Sequence, residues 1–491
     1  MIQAKPTPLI TVPQAASVAE VANRETPSWW LWLPYVWFFF ASTRALSNWL
    51  AGGRILRTNI SLDSGSPVDR LLMTILILLG LSVLGARIQQ TRMILACNKW
   101  IVMLFALMSF SILWSNFPAI SFRRCIRSMG ALVMALVVLT EHKPLEGMRI
   151  LLRRLYFVHI PLSIIAIKYF RNIGVVYNWN GSEEEWAGLT TDKNSLGQVA
   201  MCSGILWLWQ ILRDWSNDKL KRNAKKLSLN VLLLLGTLWL LRGSKNSHST
   251  TGIVGFIACS AGLIGLQYLR KRAGKAKRII LATIIAASLL MPLVYLLFNA
   301  FGGSPVEAVF EAAGRDMTLT DRTLIWADVI NDTSKNPVLG VGMGAFWVGP
   351  IGDAIYPMPN WLKKTPEWRP EQGHNGYIDT YAQVGVVGLT MLLVIIGKGC
   401  LGALEDLKHD FGMGSLRLAL LVGIVLNNVT ETSFLRGEHE LWLLFLLVAA
   451  NLPRQSRKVF LRKADVTLSD ASNRREEYEH SDRSVSSPLL R

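Results

Sequence analysis

The sequence lacks the signatures of several common protein classes. It has no P-loop and no dinucleotide-binding fingerprint, so nucleotide-dependent chemistry of those kinds is not expected. Its five cysteines are odd in number, lie in or beside apolar runs, and show neither a disulfide framework nor metal-ligand spacing. We therefore predict that the protein uses neither a metal nor a cofactor.

Acidic residues are few beside basic ones, with 34 Asp and Glu against 52 Lys and Arg and a net charge of +18. In a soluble chain this surplus would suggest nucleic acid, but here the positive charge lies between long apolar runs. Hydrophobic residues make up 51% of the 491 residues and come in blocks long enough to cross a bilayer. The sequence predicts an all-α, polytopic membrane helix bundle that contacts membrane lipid and binds no nucleic acid.

About twelve apolar runs are candidates for membrane-spanning helices. We predict them near residues 29–48, 68–86, 97–114, 124–140, 154–169, 195–212, 228–241, 251–269, 279–299, 378–398, 415–431 and 436–452. No signal peptide precedes them, so the first run is predicted to be a retained span.

The basic clusters indicate the orientation. If the N-terminus is cytoplasmic, the loops after even-numbered spans carry the large clusters, as the positive-inside rule requires. Those clusters are Lys143, Arg149, Arg153 and Arg154; Arg213, Lys219, Lys221, Arg222, Lys225 and Lys226; Arg270, Lys271, Arg272, Lys275, Lys277 and Arg278; and Arg454, Arg457, Lys458, Arg462 and Lys463. We predict a bacterial inner-membrane protein with both termini in the cytoplasm.

This topology divides the chain into five segments. They are a cytoplasmic tail at 1–28, spans one to nine at 29–299, a large periplasmic loop at 300–377, spans ten to twelve at 378–452, and a cytoplasmic tail at 453–491. The last tail is polar and rich in Ser, Arg and Glu, which is typical of disorder. The 300–377 loop is long enough for a small external subdomain.

Several basic residues lie on the predicted outer side, against the charge bias. An anionic ligand explains the set, because arginine offers a planar fork for phosphate oxygens. Snorkelling, or pairing with outer carboxylates such as Glu183–Glu185, explains any single member equally well. The set is Arg123, Arg124 and Arg127; Lys193, in a polar turn where Asp192 or Asn194 can cap a helix; Arg242 and Lys245; and Arg315 and Arg322.

Arg322 lies in the first turn of a predicted helix. Thr320 or Asp321 can cap this helix, apolar residues follow at helical spacing, and Pro337 ends it. Free backbone N–H groups together with an arginine favour phosphate binding. An ordinary amphipathic helix would explain the cap, but not an arginine at the positive end of the helix dipole.

His374 is the candidate general base. It stands just before the tenth span, and Gly373 and Gly376 would let the backbone approach a ligand. The dipole of the following helix disfavours the imidazolium, and a neutral imidazole can accept a proton from a sugar hydroxyl. The alternative is an interfacial histidine that only hydrogen-bonds a neighbour, which is the commoner role of a lone histidine.

In their order along the chain, these motifs resemble the O-antigen ligase and Wzy-type polysaccharide polymerase superfamily, and more narrowly bacterial exopolysaccharide polymerases. The resemblance covers residues 29–452. The stretches that carry it are Leu113–Ser115 with Arg123 and Arg124, Thr191–Gly197, Arg242–Lys245, Gly314–Trp326, Pro337–Gly342 and His374–Tyr377.

The resemblance implies a metal-independent glycosyl transfer from an undecaprenyl-diphosphate donor on the periplasmic face. It implies that Arg242 and Arg322 hold the diphosphate and that His374 activates the acceptor. Many relatives carry Ser-Arg at the end of the seventh span, where this chain has Leu241-Arg242 and then Ser244-Lys245. Arg242 and Lys245 therefore remain alternative phosphate ligands.

The resulting hypothesis is polymerisation of lipid-linked oligosaccharide repeat units into exopolysaccharide, with His374, Arg322 and Arg242 as catalytic residues. The expected diphosphate contacts are Lys245, Arg315, Lys193, Arg123 and Arg124. A flippase and chain-length or export proteins of the same pathway are the expected partners. Two alternatives stay open: a ligase with a lipid or protein acceptor, and a transporter of polysaccharide or lipid-linked sugar.

Overall fold

A computed structural model describes residues 28–53, 66–177, 183–216, 224–245, 247–270, 322–348 and 372–453. Within these ranges the chain is almost entirely helical, which confirms the all-α prediction. The helices are α1 (Trp32–Ser42), α2 (Leu46–Leu50), α3 (Pro67–Ala86), α4 (Ile88–Cys97), α5 (Lys99–Phe110), α6 (Pro118–Leu139), α7 (Pro144–Tyr169), α8 (Arg171–Gly174), α9 (Lys193–Ser216), α10 (Ala224–Arg242), α11 (Thr250–Arg270), α12 (Arg322–Thr333), α13 (Gly376–His409), α14 (Phe411–Asn427) and α15 (Glu440–Ala449).

Short elements join some of these helices. Single 3₁₀ turns occupy Trp29–Leu31 and Ser111–Trp114. Strands β1 (Val175–Tyr177) and β2 (Glu184–Trp186) form an antiparallel hairpin between α8 and α9. The predicted outer loop between the fifth and sixth spans is therefore partly ordered.

Six of the described helices, α3, α7, α9, α10, α11 and α13, are long and apolar enough to cross a membrane. A seventh span results if α4 and the helix that follows it, bent by 91° against each other, count as one. The polytopic architecture is thus confirmed, whereas the number of about twelve spans stays a prediction. The ninth predicted span, 279–299, lies outside the described residues, as do residues 1–27 and 454–491 of the two predicted tails.

The first predicted span is not a continuous helix. Helix α1 ends at Ser42, and the chain turns before α2 begins at Leu46. Arg44 in this break is buried and donates to the backbone carbonyls of Thr190, Gly53 and Ile173. The break therefore lets a buried arginine satisfy carbonyls that would otherwise lack a donor.

Helix α9 is the most enclosed of the long helices, with 78% of its apolar stretch buried. It packs against α7, α10, α11 and α14. Outward-facing leucines such as Leu78 on α3 and Leu232 on α10 stay exposed, as expected of side chains that face lipid.

The bundle has two chemically different ends. At the basic end, Arg149 of α7 donates to Gln210 of α9 over 3.1 Å, and Arg270 of α11 stacks on Phe411 of α14 at 4.9 Å. At the site end, the starts of α9, α11, α12 and α13 meet the end of α10 and the loop 428–439 between α14 and α15. The described residues thus separate the predicted cytoplasmic cations from the predicted outer ones.

Helix α13 is broken at Gly385, whose φ of 68° is in the left-handed region. The segment Pro337–Gly344 fills this break with strand-like hydrogen bonds: Val341 N donates to Ala382 O at 2.9 Å, and Val386 N donates to Pro337 O at 2.9 Å. A side chain at Gly385 would collide with Val338. Residues 340–344 of this segment are buried against protein, where an irregular backbone within a membrane bundle is tolerated.

Candidate functional site

One buried carboxylate joins the two strongest predicted site residues. Glu431 Oε1 lies 3.0 Å from Nη2 of Arg322, and Glu431 Oε2 lies 3.2 Å from Nδ1 of His374. Arg322 also donates through Nη1 to the carbonyl of Thr430. The side chain of Glu431 is 4% exposed, whereas that of His374 is 29% exposed. The fold therefore places the imidazole at the accessible face of a buried ion pair.

The loop that carries Glu431 is fixed to the start of α13. Gly376 N donates to the carbonyls of Asn428 and Glu431, at 2.9 and 3.1 Å. Asn375 N donates to Thr432 Oγ1 at 3.1 Å, and that hydroxyl donates to Asp379 at 2.6 Å. These contacts hold Glu431 and His374 at a defined separation.

The backbone on either side of His374 is also anchored. Gly373 N donates to both carboxylate oxygens of Asp379, at 3.1 and 3.0 Å, and Gly373 O accepts from Trp326 Nε1 at 2.7 Å. His374 itself has a φ of 50°, which is unusual for a residue with a side chain and is often found at functional sites. The loop thus presents the imidazole in a conformation that its neighbours impose.

The two glycines beside His374 pack closely against neighbouring residues. A Cβ on Gly373 would lie 2.8 Å from Asp379 Oδ1, and a Cβ on Gly376 would collide with Asn428. The glycines therefore allow close packing against the protein, and the expectation that they admit a ligand to the backbone stays a prediction.

Electrostatics keep Glu431 ionised. Burial alone would raise the pKa of Glu431, but the hydrogen bond with His374 and the charge of Arg322 hold that pKa below its ordinary value. An ionised Glu431 accepts a hydrogen bond from Nδ1–H of His374, which leaves Nε2 with the free electron pair.

A helix is present where the sequence predicted one. Within the described residues α12 runs from Arg322 to Thr333 and ends ahead of Pro337. The proposed caps Thr320 and Asp321, and the candidate ligand Arg315, lie outside the described residues. Arg322 keeps 19% of its side chain exposed while it contacts Glu431. Its guanidinium can therefore still face a ligand.

Lys193, Arg242 and Lys245 lie at the site end but do not contact Arg322 or His374 among the described residues. Lys193 Nζ pairs with Glu185 at 2.7 Å and contacts Ser247 Oγ at 2.8 Å. Asp192, not Asn194, caps α9 by accepting from the backbone N–H of Ser195 at 2.9 Å.

Arg242, the last residue of α10, and Lys245, in the turn that follows, are both exposed. The turn is followed by α11, and α11 contacts the site. Thr251 Oγ1 of α11 lies 2.6 Å from Thr430 Oγ1, and the backbone carbonyl of Thr430 accepts from Arg322. The choice between Arg242 and Lys245 as a phosphate ligand stays open.

A second group of cationic side chains lies near His374, on the side of Gln372. Nη1 of Arg436 donates to Gln372 Oε1 at 2.7 Å, and Gln372 Nε2 lies 3.4 Å from His374 Nδ1. Arg436 contacts Glu438 at 3.3 Å, and Arg127 of α6 reaches Glu438 at 3.9 Å. Of the predicted ligands on α6, Arg124 donates to the carbonyl of Gly344, and Arg123 is partly buried beside it.

Sequence reasoning missed Glu431, Asp379 and Arg436. Glu431 is 109 residues from Arg322 and 57 from His374, so no local spacing could reveal the pairing. A signal did exist: the polar run Asn427-Asn428-Val429-Thr430-Glu431-Thr432-Ser433 interrupts the apolar sequence between the last two predicted spans. An ionisable residue in such a run is a reasonable functional candidate.

Two comparisons with known proteins indicate the family that the chain resembles. A family model described as O-antigen ligase matches residues 229–393, a range that contains Arg242, Arg322 and His374. The chain is also 25% identical over 331 residues to the exopolysaccharide production protein ExoQ of Rhizobium meliloti (strain 1021), an alignment that covers 65% of this chain and 71% of that protein. The resemblance to the O-antigen ligase and Wzy-type superfamily is confirmed.

Proposed function

We propose that this membrane protein polymerises undecaprenyl-diphosphate-linked oligosaccharide repeat units into exopolysaccharide. The observation that carries the proposal is the link from Arg322 through Glu431 to His374, because it joins a cation for a leaving diphosphate to a base for an attacking hydroxyl. The likeness to O-antigen ligases and to ExoQ supports an enzyme of polysaccharide biosynthesis.

The reaction is a glycosyl transfer in which each residue has one task. The acceptor hydroxyl oxygen bonds to the anomeric carbon of the donor, and its proton passes to Nε2 of His374. The bond between the anomeric carbon and the diphosphate oxygen breaks, and its electron pair leaves with the diphosphate. Arg322, with Arg242 or Lys245, stabilises that negative charge, and Glu431 stabilises the imidazolium.

We place the site end on the periplasmic face. The basic end carries Arg149, Arg213 and Arg270, and a cytoplasmic position for these cations satisfies the positive-inside rule. Both termini are then cytoplasmic, and the donor lies in the outer leaflet with its diphosphate at the mouth of the bundle.

Replacement of Arg322 or His374 by alanine tests the proposal. In cells lacking the gene, either variant should fail to restore long polymer although the protein reaches normal levels. Arg171→Ala is the matched control, because Arg171 is an exposed arginine at the same end that pairs with Glu184. Normal polymer length from both Arg322→Ala and His374→Ala would reject the mechanism.

The ligase alternative has support of its own in the description of the matching family model. The two activities leave different products when the gene is deleted. Accumulation of single lipid-linked repeat units indicates a polymerase, whereas long chains that are not attached to an acceptor indicate a ligase.

Metal independence is a separate part of the proposal. Cationic side chains take the role that a divalent ion has in many transferases, so purified protein should retain its transfer rate in EDTA. A loss of activity in EDTA that Mg²⁺ or Mn²⁺ restores would contradict this part alone.

A further inference from the structure

Asp379 is a buried carboxylate that has no task in the transfer reaction described above. It lies in the first turn of α13 and is only 1% exposed, so it does not face a substrate at the mouth of the bundle. The hydrogen bonds that it accepts come from uncharged donors, namely a backbone N–H, an indole N–H and a hydroxyl. Burial of an ionisable side chain among neutral groups is costly, and within a membrane bundle such a residue usually has a function.

Capping of α13 does not account for the Asp379 side chain. Asn375 Oδ1 already accepts from the backbone N–H groups of Tyr377 and Ile378, at 3.0 and 3.2 Å. The backbone N–H of Asp379 itself donates to Asn375 O at 2.9 Å. These N–H groups at the start of the helix therefore have partners without the Asp379 carboxylate.

The carboxylate of Asp379 instead holds both chain neighbours of His374. Its two oxygens accept from the backbone N–H of Gly373, at 3.1 and 3.0 Å. Oδ2 also accepts from Thr432 Oγ1 at 2.6 Å, and that hydroxyl accepts from the backbone N–H of Asn375 at 3.1 Å. The residue before the imidazole is thus held directly, and the residue after it is held through one hydroxyl.

The same hydroxyl connects Asp379 to the partner of the imidazole. Thr432 directly follows Glu431 in the chain, so Asp379 contacts the segments that carry both members of the pair. The 3.2 Å separation between His374 Nδ1 and Glu431 Oε2 lies across this junction. Trp347 Nε1 donates to Asp379 Oδ1 at 2.9 Å and fixes the orientation of the carboxylate.

A carboxylate is required to accept all of these hydrogen bonds. Trp347 donates to one oxygen of Asp379 and Thr432 to the other, whereas an amide has a single acceptor oxygen. The φ of 50° at His374 adds to the requirement, because a side-chain-bearing residue keeps such a conformation only when its surroundings impose it. Loss of either anchor would let the imidazole move away from Glu431.

We propose that Asp379 is a positioning residue, which sets the distance and orientation of His374 relative to Glu431 without touching the substrate. The inference rests on the proposed function, because it assigns a residue that supports the general base of that reaction. It predicts an effect on turnover that passes through the imidazole and not through the diphosphate site.

The test measures steady-state transfer by the purified protein in nanodiscs, with the lipid-linked repeat unit as substrate. Asp379→Asn should lower kcat by about 10–100-fold, because a small displacement of a reacting group has an effect of this size. The KM should change little, since the hydrogen bonds of Asp379 do not go to Arg322. Asp406→Asn is the matched control: it alters the other end of α13 at a buried aspartate, and its folded fraction should keep the wild-type kcat.

A double variant distinguishes positioning from general destabilisation. If Asp379 acts through the pairing of His374 with Glu431, its effect should be small once Glu431→Gln has weakened that pairing. The kcat of Asp379→Asn/Glu431→Gln should therefore lie near that of the slower single variant, well above the value expected if the two losses multiplied.

The hydroxyl of Thr432 provides a second test that leaves Asp379 in place. Thr432→Ser retains the group that joins Asp379 to Asn375, so its kcat should stay close to that of the wild type. Thr432→Val keeps the shape of the side chain but removes the hydroxyl, and should lower kcat without raising the KM. This pair of variants decides the question even if Asp379→Asn does not fold.

Three results would overturn the inference. They are a wild-type kcat in Asp379→Asn or Thr432→Val, losses that multiply in the double variant, and a loss that disappears when rates are divided by the folded fraction. Transfer by the wild-type protein would still support the proposed function in each case. Absence of any transfer by the wild-type protein would instead reject the proposed function itself.

Discussion

Two arginine–carboxylate pairs lie at opposite ends of the bundle, and they differ in how completely they are enclosed. At the basic end, Arg417 is 0% exposed and Asp406 is 5% exposed. Arg417 donates to Asp406. It also donates to the backbone carbonyls of Val448 and Ala450, both at 2.7 Å. At the site end, Arg322 remains partly exposed and shares Glu431 with a histidine.

The difference in exposure distinguishes an ion pair that stabilises the fold from one that can take part in a reaction. Arg417 is enclosed by groups of the fold and joins the end of α13 to α14 and α15, so it has no face for a ligand. Arg322 is held by a similar carboxylate, but one edge of its pair is open and ends in an imidazole that can exchange a proton. An ion pair indicates a site when part of it is accessible and a second titratable group shares it.

The largest expected effect at the site end follows from His374→Ala. Loss of a general base should lower the transfer rate of the folded protein by about 10²–10⁴-fold, measured on purified protein with a lipid-linked repeat. His142→Ala, which removes a histidine at the basic end, is the control. Activity within a few-fold of wild type would exclude His374 as the base.

At the basic end we expect the opposite pattern. Arg417→Met leaves Asp406 buried without its partner and should lower the free energy of unfolding by about 3–5 kcal/mol. The folded fraction should keep the wild-type turnover, because Arg417 does not contact the site. Thermal unfolding in detergent measures the loss, and the double variant Arg417→Met/Asp406→Leu should recover much of it. A double variant no more stable than the single one would show that the pair is not the cause.

Glu431→Gln should have an intermediate effect on activity. The amide keeps the shape of the side chain but no longer fixes the proton on Nδ1 or stabilises the imidazolium. Removal of such a supporting partner typically costs about 10–100-fold. Steady-state rates at saturating donor should fall more than the donor KM rises; a change confined to the donor KM would instead make Glu431 a binding residue.

The sequence predicted the local features of this comparison but not the long-range ones. The helix that carries Arg322, the cap at Asp192 and the segregation of basic loops follow from spacing and charge, which act over a few residues. Glu431, in contrast, meets its partners only when α14, α12 and α13 converge. The break in α13 at Gly385 could not be predicted either. A single glycine in an apolar run does not indicate that the segment Pro337–Gly344 will replace the helical hydrogen bonds of α13 there.

The smallest expected difference between the two ends of the bundle is in how acidification changes the stability that a carboxylate contributes. The pKa of Glu431 in the folded protein lies below its ordinary value, so ionised Glu431 stabilises the fold at neutral pH. That stabilisation is complete above the ordinary glutamate pKa of about 4.3 and is lost as the pH falls through the lower folded value.

Measured by thermal unfolding, wild type should therefore exceed Glu431→Gln in stability at pH 7, and the gap should narrow as the pH is lowered past that range. Glu146→Gln, which removes a carboxylate at the basic end, gives the background slope. A gap that stays constant or widens on acidification would mean that Glu431 enters the fold protonated. The His374 imidazole would then have no anion to hold its proton on Nδ1. The partly exposed pair Arg322–Glu431 would no longer differ in chemical role from the enclosed pair Arg417–Asp406.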